Sequence, residues 1–189
     1  MEYDHATGLL EGVSQRPSPN FNDRPDGVAP ELLVIHNISL PPGRYGGPYI
    51  DDLFCNRLDP AADDYFAGIG DLCVSAHLLI RRDGELLQYV PLHKRAWHAG
   101  VSCWRGRENC NDFSIGVELE GSDDDPYDPR QYKALVRLVD CLIGVWPALA
   151  GNIVGHSDIA PGRKSDPGPA FDWSVLKHLS AEAGGGTRK

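Results

Sequence analysis

The chain has 189 residues, 41% of them hydrophobic and 24% charged, with a formal net charge of −9 at pH 7. That length and balance suit one globular domain with a real core and exclude a disordered segment. The acidic charge speaks against a nucleic-acid surface, and no run of about 18 apolar residues offers a membrane span. The N-terminus, Met1-Glu2-Tyr3-Asp4-His5, lacks the basic-then-apolar profile of a secretory signal and points to the cytoplasm. Cys55, Cys73, Cys103, Cys110 and Cys141 form no C-x-x-C pair and read as free thiols rather than a disulfide framework.

Residues 1–30, rich in Pro, Asn and Asp, read as an irregular arm over the surface. Leu32–Asn37 is an apolar run that predicts a buried strand, with His36 near its end. Pro41-Pro42-Gly43 and Gly46-Gly47-Pro48 predict a long loop after it, where functional groups concentrate. Asp59-Pro60 reads as an N-cap and first helical residue, opening a short helix to about Gly68. Val74–Arg81 alternates and turns at Asp83-Gly84 into Glu85–Val90, which predicts a hairpin. Phe113–Leu119 alternates again: Phe113, Ile115, Val117 and Leu119 share one face, and Ser114, Gly116, Glu118 and Glu120 share the other. Asp128-Pro129 caps the longest helix, with Leu135, Leu138, Val139, Leu142 and Trp146 at helical spacing and Pro147 as its stop. Ile153–His156 is a last short strand, Asp172–Leu179 a final helix, and residues 181–189 a disordered tail. This order predicts a single α/β domain, a central mixed β-sheet flanked by helices.

The densest chemistry lies between Gly155 and Gly168, where prolines and glycines forbid a helix and predict an ordered loop. The stretch carries His156, Asp158, Lys164 and Asp166. His36 and His156 each fit either a core histidine bonded to a carbonyl or a metal ligand. Two imidazoles at strand ends plus a loop carboxylate make the ligand set of a catalytic zinc with one open position. Either Asp158 or Asp166 completes that set, and zinc lowers the pKa of its water to about 7. Glu118 is a candidate base, with small Ser114 and Gly116 beside it leaving room for a substrate; Glu120 fits the same pattern. Lys164 is a candidate partner for a tetrahedral oxyanion, against the reading of a plain surface lysine. His77 and His98 are structural or cleft-lining, and His5, His93 and His178 lie on the surface. There is no Gly-x-Ser-x-Gly elbow and no His-Glu-x-x-His helix, which argues against a serine triad and the common zinc-protease architecture.

Val34–Gly43, Val74–His77, Arg95–Ser102 and Asn111–Gly121 resemble successive segments of the AmpD amidases. The His156–Asp166 loop followed by Pro167–Trp173 completes a resemblance that runs from about residue 8 to residue 178. It implies a zinc N-acetylmuramoyl-L-alanine amidase domain over residues 31–180, with the peptidoglycan-recognition-protein-like fold and a cytosolic site of action. It implies His36, His156 and Asp166 as Zn2+ ligands, Glu118 as the base and Lys164 as the oxyanion stabiliser. The implied substrate is an anhydro-muramyl peptide, cut between the lactyl group of 1,6-anhydro-N-acetylmuramic acid and L-alanine. That step belongs to peptidoglycan recycling and keeps the inducers of β-lactamase expression low. Asn37 and Trp97 are expected to shape the sugar and peptide subsites. Cys73 and Asn109 depart from the family, in which arginine occurs there, and Arg105 or Arg107 is expected to hold the substrate carboxylate instead. Two rival functions are an amidase of intact muramyl peptides and a non-catalytic muropeptide sensor. The absent signal peptide and wall-binding module count against the first, and the presence of all five site residues against the second. No nucleic acid, membrane or obligate protein partner is expected.

Overall fold

A computed structural model of the chain describes residues 1–177; the expected tail, the end of the last helix and His178 lie outside the described residues. The sheet at its centre has six strands: β1 (Ser14–Gln15), β2 (Leu32–Ile38), β3 (Leu78–Ile80), β4 (Leu86–Gln88), β5 (Ser114–Glu120) and β6 (Ile153–Gly155). Their order is β6-β2-β5-β3-β4-β1. The first four in that order run parallel, β3 and β4 form the antiparallel hairpin expected at Asp83-Gly84, and β1 lies parallel to β4. The sheet is mixed, as the interleaving of elements predicts.

All seven residues of β5 are buried, because this strand is central and covered on both faces. Ile115, Val117 and Leu119 join Leu33 and Ile35 of β2 in one core. Helix α2 (Pro129–Val145) covers that face with Leu135, Leu138, Val139 and Leu142. Full burial of each such side chain is worth about 1.5–3 kcal/mol. The start of α2 follows the sequence: the Asp128 carboxylate accepts the Arg130 N–H at 2.8 Å, and Gln131 accepts the Asp128 N–H at 3.1 Å. The buried Gln131 amide then donates to the carbonyls of Ile80 and Glu120, tying α2 to the ends of β3 and β5.

Several local expectations change. The long loop after β2 contains a helix, α1 (Tyr49–Phe54), whose Ile50, Leu53 and Phe54 recur at helical spacing and are buried. The helix expected at Asp59-Pro60 is displaced: Asp59 closes a turn onto Ala61, and Asp63 caps a 3-10 helix at Asp64–Gly68. Val74–His77 does not extend β3; Ala76 packs with Leu79 in a second apolar cluster, which also includes Leu53 and Phe54 of α1. The final helix is a 3-10 turn, Trp173–Leu176, within the described residues. The arm is stitched down along its length. Tyr3–Asp4 pairs with Leu9–Leu10, β1 enters the sheet, and Phe21–Asn22 pairs with Arg95–Ala96. All five cysteines are free. No helix among the described residues is long and apolar enough to cross a membrane.

Candidate metal centre

The second face of β2 and β5 carries the chemistry. His36 and Glu118 sit directly opposite each other in the parallel register of these strands, near their C-terminal ends. β6 lies on the other side of β2 and delivers His156 immediately after Gly155. His156 opens a four-residue helix, α3 (His156–Ile159), where the sequence predicts the end of a strand running into a loop; a single turn fits between Gly155 and Pro161. Asp166 returns from the following loop, and its carbonyl accepts the Ser157 N–H at 3.0 Å. Gly155 makes that return possible, since a Cβ there would stand 2.8 Å from Cδ of Pro167.

Three ligand atoms converge in this corner. His36 Nδ1 is 2.9 Å from His156 Nδ1, and Oδ2 of Asp166 is 3.1 Å and 3.0 Å from those nitrogens. Both imidazoles are buried and the carboxylate is nearly so. Donors placed 2.0–2.1 Å from a tetrahedral ion stand about 3.3 Å from one another, so this triangle is close to one face of such a site. The outer nitrogen of His156 donates to the Ala99 carbonyl at 3.1 Å, which leaves its Nδ1 lone pair directed inward. Burial lowers His36 to about 4, so the ring is neutral at pH 7. Burial raises Asp166, but its close contacts with the His156 and His36 rings outweigh it and hold the carboxyl below its ordinary range. Two imidazoles and one carboxylate fit a divalent ion of zinc type.

The neighbouring carboxylates divide cleanly. Asp158 turns back to accept the Gly155 N–H at 2.7 Å, so Asp166 alone completes the triangle. Glu120 is paired with Arg81 at 3.1 Å and accepts the N–H groups of Gly46 and Arg82. Glu118 is buried with Oε2 unpartnered, and burial followed by the charge of Asp166 pushes its carboxyl well up, against Lys164. Lys164 is exposed on the same loop as Asp166 and lines the same cleft.

That cleft has a volume of about 460 Å³. Its floor holds His36, Glu118, His156 and Asp166; Leu40, Leu72, Val74 and Trp97 form an apolar side. Trp97 is fixed by its indole N–H to Asn22 at 2.8 Å, and Asn37 donates to Asp123 at 2.7 Å. The expectation that Ser114 and Gly116 make room for substrate is corrected. That space is filled by the ring of His98, whose Cγ would lie 2.5 Å from a Cβ at Gly116, and Ser114 is bonded to its Nε2. Arg107, expected to hold the substrate carboxylate, does not line this cleft: it pairs with Glu31 at 3.1 Å, stacks on Phe113 and lines a different hollow with Trp104. Arg105 lies over Trp104 in that hollow. His77 is structural, accepting the Gly116 N–H at 3.0 Å while its other nitrogen meets the Lys94 carbonyl. The sequence reading missed the acidic rim residue Asp123, whose DDD context reads as a solvated turn, and the part played by His98.

A mixed sheet whose parallel strands end on a His-His-Asp corner and an unpartnered buried glutamate defines a metal-dependent hydrolase. Residues 26–169 match the N-acetylmuramoyl-L-alanine amidase family. The 1,6-anhydro-N-acetylmuramyl-L-alanine amidase AmpD of Enterobacter cloacae is 61% identical over 167 residues, 88% of this chain and 89% of its own. The crystal structure of a selenomethionine AmpD derivative superposes with a TM-score of 0.92 at 57% identity, covering 95% of this chain and 99% of that one. The Escherichia coli amidase AmiD, solved with anhydro-N-acetylmuramic acid-L-Ala-D-γ-Glu-L-Lys, gives a TM-score of 0.57 at 30% identity over 90% of this chain and 60% of its own. The chain belongs to the N-acetylmuramoyl-L-alanine amidase family and, within it, to the AmpD enzymes, the 1,6-anhydro-N-acetylmuramyl-L-alanine amidases. His36, His156 and Asp166 are its metal-binding triad.

Proposed function

We propose that the chain hydrolyses the amide between 1,6-anhydro-N-acetylmuramic acid and L-alanine of muropeptides, with zinc at the triad, in cytoplasmic peptidoglycan recycling. The observation that carries this reading is the ligand triangle set beside Glu118, which faces His36 across the β2–β5 register. Zinc held there supplies a Lewis acid for the scissile carbonyl and acidifies the attacking water. Glu118 takes a proton from that water as its oxygen bonds the lactyl carbonyl carbon. Burial suits this role, because a carboxyl raised above its ordinary range holds a proton long enough to return it. Lys164 faces the oxyanion that forms. Glu118 then delivers the proton to the alanine nitrogen as the C–N bond breaks, releasing a lactyl carboxylate and a free peptide amine. Asn37 and Trp97 line the cleft on the substrate side and orient the sugar and peptide. Consumption of these muropeptides keeps the inducers of β-lactamase expression low.

The test is mass-spectrometric turnover of anhydro-muramyl-tripeptide beside its reducing-end counterpart, with zinc and with chelator. Zinc-dependent release of free tripeptide, with the anhydro form preferred, is the expected result. Turnover that survives complete zinc removal overturns the metal assignment. Binding without turnover in the zinc-loaded protein overturns the hydrolase and leaves a muropeptide sensor.

A further inference from the structure

The outer nitrogens of both metal-binding histidines end on two consecutive residues. His156 Nε2 donates to the Ala99 carbonyl at 3.1 Å, and His36 Nε2 lies 2.9 Å from Nδ1 of His98. The far nitrogen of His98 is 3.0 Å from the Ser114 hydroxyl. This pair of residues is itself clamped, because the buried Asn111 side-chain oxygen accepts the His98 N–H at 3.0 Å and the Ala99 N–H at 2.8 Å. Glycine at position 116 leaves the space that the His98 ring occupies.

We propose that His98 is a positioning residue for the metal centre, accepting the outer N–H of His36 and so aiming the His36 Nδ1 lone pair at the ion. His36 presents Nδ1 to the triangle, so its proton must sit on Nε2, and only an acceptor there holds it in place. His98 supplies that acceptor on Nδ1 when its own proton is on Nε2, and the Ser114 hydroxyl accepts that second bond. A backbone carbonyl does the same for His156 without a choice of tautomer. His36 therefore depends on a side chain where His156 depends on the main chain, and substitution reaches only the first.

The inference rests on zinc binding at the triad, and the experiment separates the two. Zinc dissociation constants are measured by chelator competition for wild type and for His98→Asn, His98→Gln and His98→Leu, with circular dichroism of the metal-free proteins. Asparagine keeps an acceptor where Nδ1 stands, whereas glutamine places its amide farther out, toward Ser114, and leucine offers none. Leucine and glutamine are expected to weaken zinc about 10–100-fold, and asparagine to recover affinity to within about threefold of wild type. Should the leucine variant fail to fold, the contrast between asparagine and glutamine decides. Wild-type affinity in the glutamine variant, or asparagine as weak as glutamine, overturns the role of His98. Absence of zinc binding by wild type overturns instead the metal reading beneath it.

Discussion

On the helix side of the sheet, Leu33 and Ile35 of β2 and Ile115, Val117 and Leu119 of β5 meet the apolar stripe of α2. On the other side the same two strands carry His36, Ser114, Gly116 and Glu118, all held away from water. The first face stabilises by burying apolar area. The second buries imidazoles and a carboxylate whose desolvation works against folding, and compensates only in part through hydrogen bonds and the Asp166 pairing. Alternation along a strand thus gives one pair of elements two opposed roles, and the two faces respond differently to substitution.

The largest expected effect on the cleft side is on rate. Lys164→Ala is expected to lower kcat about 10²–10³-fold with little change in melting temperature, since the lysine is exposed. Steady-state kinetics beside a thermal melt check this; an unchanged kcat removes Lys164 from the mechanism. Leu138→Ala, on the helix side, is expected to do the reverse. It should cost about 2–5 kcal/mol in denaturant unfolding while kcat per folded molecule holds. The pH response comes next. Burial lowers His36 to about 4 and His77 to about 3, below the value of about 6.5 for an unfolded histidine. The unfolded chain binds the more protons between those values, so these groups' contribution is complete above pH 6.5 and is lost as pH falls toward 4 and below. Melting temperature of the metal-free Glu118→Gln variant, which lacks the opposing proton on Glu118, should therefore drop steadily between pH 6.5 and 4, and a flat profile would contradict the buried, neutral state of both rings. The smallest effect is expected of Arg107→Ala. An exposed pair with Glu31 is worth about 0–1 kcal/mol, and KM for anhydro-muramyl-tripeptide should not change; a raised KM would return Arg107 to substrate binding.

Much of this division was legible in the chain. Alternation in Phe113–Leu119 places Ile115, Val117 and Leu119 on one face and Glu118 on the other, and Asp128-Pro129 marks the start of α2. The His36, His156 and loop-carboxylate pattern points to a metal from strand ends alone. The choice between Asp158 and Asp166, and between Glu118 and Glu120, was not legible from spacing, because it depends on which carboxylates other groups occupy. Gly155 claims Asp158, and Arg81 with two backbone N–H groups claims Glu120. Family resemblance supplied the same answers without that reason. The space beside Gly116 was misread because a missing Cβ looks the same in sequence whether a substrate or His98 fills it. Helix α1 was missed because flanking Pro and Gly residues outweigh a six-residue apolar pattern.

The most direct test of the contrast between the faces is Glu118→Gln, assayed for turnover and for metal-free stability at pH 7. Burial raises the Glu118 carboxyl, so the folded chain retains a proton that the unfolded chain has released, and stability falls as pH climbs above about 4.3. Glutamine removes that penalty together with the base. The expected result is a variant that melts higher than wild type and turns over anhydro-muramyl-tripeptide about 10²–10⁴-fold more slowly. A variant that melts lower, or one that retains wild-type turnover, would contradict the account.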